Sequence, residues 1–232
     1  MCGRYATTRS SADLSLLFEA VDETTGLAPR YNVAPTDPVP VVRTDPGDHR
    51  RLLCVGRWGL LPHWATDPRA GARMINARAE TVATSPAFAR AYASRRALVP
   101  VDGWYEWARL PGGGKQPYFI TAADGAVLAL AGLWSRWGPQ RLLTFTVVTT
   151  EARGEVAAIH DRMPLVLPPD RWQHWLHDPS PSLSPPGPPV LAGLELRPVG
   201  NAVGNVRNDG PELIRPIRRS EPPPVPRQAT LF

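Results

Sequence analysis

Cys2 is the residue of this chain best placed to do chemistry. Removal of Met1, which a small second residue favours, leaves a cysteine whose free α-amine and thiol sit on adjacent carbons. The amine has a reference pKa of roughly 7.7–8.0 and the thiol one of roughly 8.5, so both have a nucleophilic fraction near neutrality. Such a 1,2-aminothiol condenses with an aldehyde: the amine forms an imine, and the thiol closes a five-membered thiazolidine. Cys54, the second cysteine, lies in the apolar run RLLCVGRWGL (51–60) and reads as inert core. Other catalytic signatures are missing. The chain has no GxSxG elbow, no GxxxxGK[ST] loop, no HExxH and no CxxC, which removes sequence support for an elbow-type serine hydrolase, a P-loop NTPase or a thiol-rich zinc site. His174 and His177, three apart on an expected helix, read as exposed side chains rather than metal ligands. Neither a metal nor a cofactor is expected.

The elements that must position Cys2 are mostly strands. Six runs rich in β-branched and aromatic residues stand out at 39–44, 51–60, 96–107, 116–122, 126–134 and 142–150. Gly112-Gly113-Gly114 reads as a hairpin loop and Asp124-Gly125 as a tight two-residue turn. Three helices are expected. Residues 10–20 carry Leu14, Leu17 and Phe18 on one face behind a serine cap; a second helix starts at Ser85-Pro86; a third follows Pro168-Pro169-Asp170 with Trp172, Trp175 and Leu176 as its apolar stripe. Strands in succession with few helices between them predict an α+β fold with a largely antiparallel sheet, not a doubly wound nucleotide-binding fold.

The chain has 232 residues, 43% hydrophobic, with a net charge of +5. That is enough apolar material for one larger domain. The longest apolar stretch, VLALAGLW (127–134), falls well short of the roughly 20 residues of a membrane span. No secretory signal follows Met1, so a cytoplasmic protein is expected. The positive charge rests on 25 arginines and one lysine, Lys115. The ratio reads as the coding habit of a GC-rich genome, but the net sign favours a polyanionic partner. Of 28 prolines, 15 lie at Pro168 or later, which predicts a globular front, a non-helical surface loop at 179–189, and a proline-rich tail over 218–232.

The segments MCGRYA, RYNVAPT, WGLLPHW, INARAET, VPVDGWYEW, KQPYFI, AGLW, TTEA, IHDRMPLVL and VGNVRNDG occur in that order. In order and character they resemble the SRAP family, the SOS response-associated peptidases, which capture abasic sites in single-stranded DNA. The resemblance covers about residues 1–217 and implies a single α+β domain around a curved, barrel-like, mainly antiparallel sheet flanked by helices. It makes Cys2 the nucleophile that captures the ring-opened abasic sugar as a thiazolidine. It makes Glu106 a proton-exchanging carboxylate between tryptophans, His160 a proton shuttle on the sugar oxygen, and Asn76 an amide that orients the sugar or the amine. It places Arg4, Arg78 and Arg162 on backbone phosphates, with Asn32, Pro35, Trp64 and Thr149 lining the groove. The segment ATDPRAGARMI (65–75) is longer than the family pattern.

The resemblance implies a bacterial, nucleoid-associated monomer whose partner is abasic single-stranded DNA. Incision by β-elimination and autoproteolysis are further activities it implies. Two alternatives share the same residues: an N-terminal-nucleophile cysteine peptidase or amidohydrolase, and a non-catalytic single-stranded DNA-binding module. The last five residues resemble a Q-x-x-L-F docking peptide, with Gln228 as polar registration point and Leu231 and Phe232 as anchors for a replication sliding clamp.

Overall fold

The computed structural model describes residues 2–217; the expected tail, with Gln228, Leu231 and Phe232, lies outside them. In chain order the elements are β1 (Tyr5–Thr7), α1 (Ser11–Phe18), β2 (Ala20–Asp22), β3 (Arg30–Val33), β4 (Pro38–Thr44), β5 (Arg51–Trp58), β6 (Asn76–Arg78), α2 (Ala89–Ser94), β7 (Arg96–Val101), β8 (Gly103–Arg109), β9 (Lys115–Ala122), β10 (Leu128–Trp137), β11 (Leu142–Glu151), β12 (Arg162–Pro164), β13 (Val166–Leu167), α3 (Pro169–His177), α4 (Pro188–Ala192) and β14 (Leu194–Pro198).

Five of these strands close on themselves. Antiparallel pairing runs β11-β10-β7-β4-β5, and a parallel contact between β5 and β11, Arg57 opposite Thr144 and Trp58 opposite Phe145, completes the ring. Closure removes the exposed edges an open sheet would carry. A second, five-stranded sheet in the order β14-β9-β8-β1-β3 packs beside it. The fold is α+β with a barrel and few helices, as the sequence predicts. Cys2, Tyr5, Trp58 and Trp104 share one buried cluster with barrel residues such as Val41, Val99 and Val147. α1 and α3 cover another face of the barrel. Ser10 caps α1 by accepting from the Asp13 N–H at 3.1 Å, an arrangement worth about 1 kcal/mol. Phe18 stacks on Trp172 at 4.6 Å. The indoles of Trp172 and Trp175 donate to Leu167 and Ala97 carbonyls at 2.9 and 2.8 Å, so both rings are buried with their polar atom satisfied.

Four local expectations need correction. Residues 96–107 are not one strand: β7 belongs to the barrel and β8 to the second sheet. The chain turns at Asp102, whose carboxylate accepts from the Thr8 N–H at 2.6 Å and whose carbonyl accepts from the Thr121 hydroxyl at 2.6 Å. A side chain on Gly103 would collide with the Ile120 carbonyl, so only glycine permits this corner. Asp124-Gly125 does form a turn, with Gly125 at φ +74°, but it carries the chain from one sheet to the other rather than closing a hairpin. The helix expected from Ser85 begins at Ala89, because the Phe88 and Ala89 N–H groups both converge on the Ser85 carbonyl in a turn. The segment expected to be non-helical ends in α4, which starts on Pro188-Pro189, where prolines satisfy the first-turn φ and need no N–H acceptor.

Candidate active site

β1 lies between β3 and β8, with Tyr5 opposite Trp104. Continuing that antiparallel register past Arg4, whose carbonyl accepts from the Tyr105 N–H at 2.9 Å, brings the segment before β1 alongside Glu106. The corner at Asp102 therefore decides the site: it sends Glu106 into the sheet that holds the start of the chain. Cys2 is fully buried. From the barrel side, Trp58 donates to the Ile75 carbonyl at 3.0 Å, and β6 runs parallel to β11 with Asn76 opposite Val147. Asn76, so placed, donates to the Cys2 carbonyl at 2.8 Å. Its Oδ1 is buried with no hydrogen-bond partner.

The electrostatics follow from this burial. Glu106 is 2% exposed, and burial pushes its pKa from the ordinary carboxylate range up to about 7. Burial, reinforced by the Glu106 charge, pushes the Cys2 thiol far up, so it is held protonated at neutral pH. Burial lowers the pKa of His160. Its Nδ1 lies 2.9 Å from the Arg162 N–H and 2.7 Å from the Asp161 carboxylate. An unprotonated Nδ1 accepts the first and an Nδ1–H donates to the second, so the two partners select opposite protonation of this nitrogen, a choice that neutral imidazole makes between its two tautomers.

His160 opens on a cleft of about 740 Å³ lined by Arg78, Glu80, Thr81, Glu151, Asp161 and Arg162. Arg162 holds both Glu80 oxygens, at 2.7 and 2.9 Å, and donates to the Thr149 carbonyl at 2.7 Å. Thr149 is fully buried and meets the cleft only through Arg162. Arg78 is exposed. Arg4 donates to Asn32 Oδ1 and to the Val203 carbonyl, each at 3.0 Å. Asn32, itself fully buried, donates to the carbonyls of Val203, Asn205 and Asn208 at 3.2, 3.1 and 2.9 Å. Pro35 follows in the turn after β3, half-buried. Two groups result, Arg4–Asn32–Pro35 and Arg78–Thr149–His160–Arg162, and Cys2 joins them through its nearness to Arg4 and its bond to Asn76. Trp64 stands apart. It is 52% exposed, and its neighbour Ala65 is tied by the Trp137 indole at 2.7 Å to the far end of β10.

The first 206 residues match the family model for SOS response associated peptidase (SRAP). The chain belongs to this family. It is 36% identical over 229 residues to the abasic site processing protein YoaM of Bacillus subtilis, covering 92% of this chain and 97% of that one. It is also 36% identical over 229 residues to the abasic site processing protein YedK of Escherichia coli, covering 94% and 100%. The abasic site processing protein HMCES of Gallus gallus is 30% identical over 233 residues, covering 85% of this chain and 69% of that one. A crystal structure of a protein from Bacteroides thetaiotaomicron has the same fold, with a TM-score of 0.77 over 94% of this chain and all of that one at 22% identity.

For this SRAP chain, sequence reasoning missed the acidic side of the cleft. Glu80, Glu151 and Asp161 face Arg78 and Arg162 there, so the lining is mixed rather than uniformly basic. INARAET and IHDRMP carry Glu80 and Asp161 beside the arginines, which is the local signal for this mixed lining. Tyr5 was also missed. Its hydroxyl is buried without a hydrogen-bond partner, and burial together with the nearby Cys2 holds its pKa well above the ordinary value. Among the described residues no group of His, Cys, Asp or Glu is arranged to hold a metal ion, and no helix is long and apolar enough to cross a membrane. The 65–75 segment winds into a 3₁₀ turn, Pro68–Arg73, capped by Asp67. It crosses Gly59 so closely that a Cβ there would strike the Gly71 backbone.

Proposed function

We propose that this protein captures abasic sites in single-stranded DNA as a covalent thiazolidine on Cys2, shielding the lesion. The names of its relatives as abasic site processing proteins support the substrate. One observation carries the choice of chemistry: the Cys2 thiol is buried beside Glu106 and held protonated. A thiol peptidase needs a thiolate before its first step, and burial works against that. Aldehyde capture uses the amine first and needs the thiol only afterwards.

In the proposed sequence, His160 moves the proton between the C1 hydroxyl and the ring oxygen as the sugar opens. The α-amine of mature Cys2 adds to the aldehyde carbon, and loss of water leaves an imine. The sulfur then bonds to the same carbon; the thiol proton passes through Glu106 to the imine nitrogen, and the ring closes. A carboxylate with a pKa of about 7 both takes and returns a proton at neutral pH. Asn76 holds the Cys2 carbonyl and with it the direction of the amine. Arg78 and Arg162 hold backbone phosphates, the latter by exchanging Glu80 for a phosphate; Arg4, positioned by Asn32, does so on the other side, and Trp64 offers a stacking face. The imine also acidifies the neighbouring sugar carbon, so β-elimination competes with ring closure. The terminal peptide with Gln228, Leu231 and Phe232 would bring the protein to a sliding clamp, and deleting residues 228–232 should abolish clamp binding while leaving capture intact.

The test is a denaturing gel of the protein with a single-stranded oligonucleotide carrying one abasic site, read together with the intact mass of the protein. A band that resists denaturation, on a protein lacking Met1, is expected. Its absence, or its persistence in Cys2→Ala, overturns the proposal.

A further inference from the structure

A second concave site lies at the opposite end of the β10–β11 hairpin. Arg136 and Arg141 flank the hairpin turn, about 25 Å along the strand from Thr149. With Arg43 of β4, Arg95 after α2, Trp134 and Asp45 they line a cavity of about 370 Å³. Four guanidiniums face one carboxylate. That carboxylate already accepts from the Gly47 N–H at 2.7 Å.

The centre of the cavity is built rather than incidental. Arg43 is 4% exposed and Trp134 is 7% exposed. The guanidinium of Arg43 lies 5.2 Å from the centre of the Trp134 ring, and that of Arg95 lies 5.7 Å from it. Arg43 reaches Glu23 at 3.4 Å and the Thr44 carbonyl at 3.3 Å through its terminal nitrogens. Its Nε and the Trp134 Nε1 are both buried without an acceptor. Both N–H groups are closed off from solvent, so the donors open to the cavity are the guanidiniums of Arg95, Arg136 and Arg141, the last two exposed. Burial first, and then the charges of Arg90 and Arg141, lower the pKa of Arg95, and an anion in the cavity would relieve the repulsion between Arg95 and Arg141.

We infer that this cavity binds a phosphate monoester. Several oxygens on one small dianion match several converging N–H donors. The Trp134 ring is already covered by guanidiniums, so the site is shaped for the phosphate group and not for stacking a base. A free nucleotide and the 5′-phosphorylated end of a strand carry the same group.

Binding is measured by calorimetry on the full chain, comparing deoxyadenosine 5′-monophosphate with deoxyadenosine, and a 5′-phosphorylated ten-nucleotide strand with its 5′-hydroxyl counterpart, none containing an abasic site. The phosphorylated member of at least one pair should bind about tenfold tighter. Discrimination in the first pair alone assigns the site to free nucleotides, and discrimination in the second assigns it to strand ends. Arg95→Ser/Arg141→Ser, which leaves the buried Arg43 and Trp134 in place, should erase the preference with an unchanged circular dichroism spectrum and unchanged crosslinking. Equal binding within both pairs, or a preference that survives in the double variant, overturns the assignment.

Discussion

Two cysteines in this protein each have a glutamate at hand, and the surroundings of the two pairs differ. Cys54, on β5, lies 3.3 Å from Glu23, and burial pushes its thiol up to about 11. Glu23 is 47% exposed in its side chain and shared with Arg43. Cys2 lies by Glu106, which is 2% exposed and titrates near 7. Both thiols are protonated at neutral pH, so thiol acidity does not separate them. The difference is in the partners. Glu23 is open to solvent and engaged by an arginine, whereas the desolvated Glu106 exchanges a proton near neutrality. Cys2 alone can also present an amine on the adjacent carbon.

The contrast is sharpest in the cysteines themselves. Cys2→Ala should lower covalent capture of abasic DNA by more than about a thousandfold, since the intermediate has no other nucleophile of this kind. Cys54→Ala should remain within about twofold on the same gel. Equal losses in both would break the comparison. Next comes the glutamate: Glu106→Gln should slow crosslinking by about a hundredfold, and the rise of the wild-type rate through about pH 7 should disappear, while Glu23→Gln leaves rate and profile unchanged.

Stability should move in the opposite direction. The folded-state pKa of Glu106 is raised above its ordinary value, so its contribution to folding is fully present below the unfolded pKa and is lost as pH rises to about 7. Glu106→Gln should therefore stabilise the protein by on the order of 3 kcal/mol at pH 8 and by close to nothing at pH 4. Urea titrations at the two pH values check this. The smallest effect concerns the mouth of the reactive site. Glu80→Gln, by freeing Arg162, should tighten single-stranded DNA binding about threefold at low salt; weaker binding would mean that Glu80 positions Arg162 for the strand instead of competing with it.

How much of this was legible in the sequence differs by element. Trp172, Trp175 and Leu176 stand at helical spacing, and they form the buried stripe of α3. Residues 96–107 read as one strand because β-branched and aromatic residues continue through the bend. The corner depends on Thr8, Thr121 and Ile120, which are distant in sequence. Asn32 and Thr149 were expected to line a groove. Both are buried, and they direct Arg4 and Arg162 through carbonyl networks that no local pattern encodes. The unpaired donors of Arg43 and Trp134 gave no local signal either, since β4 and β10 meet that cavity only when the barrel closes.

By itself the sequence determined the kinds of groups available: an aminothiol one methionine from the start, strands enough for a barrel, arginine in excess, and motifs ordered as in one family. It could do so because composition, periodicity and order are local properties. Only the tertiary structure decided that the Glu106 carboxyl would hold its proton to about pH 7. Desolvation depends on what surrounds a side chain in three dimensions, and Asp102 and Gly103, by bending the chain from barrel to second sheet, put Glu106 beside Cys2 and away from water.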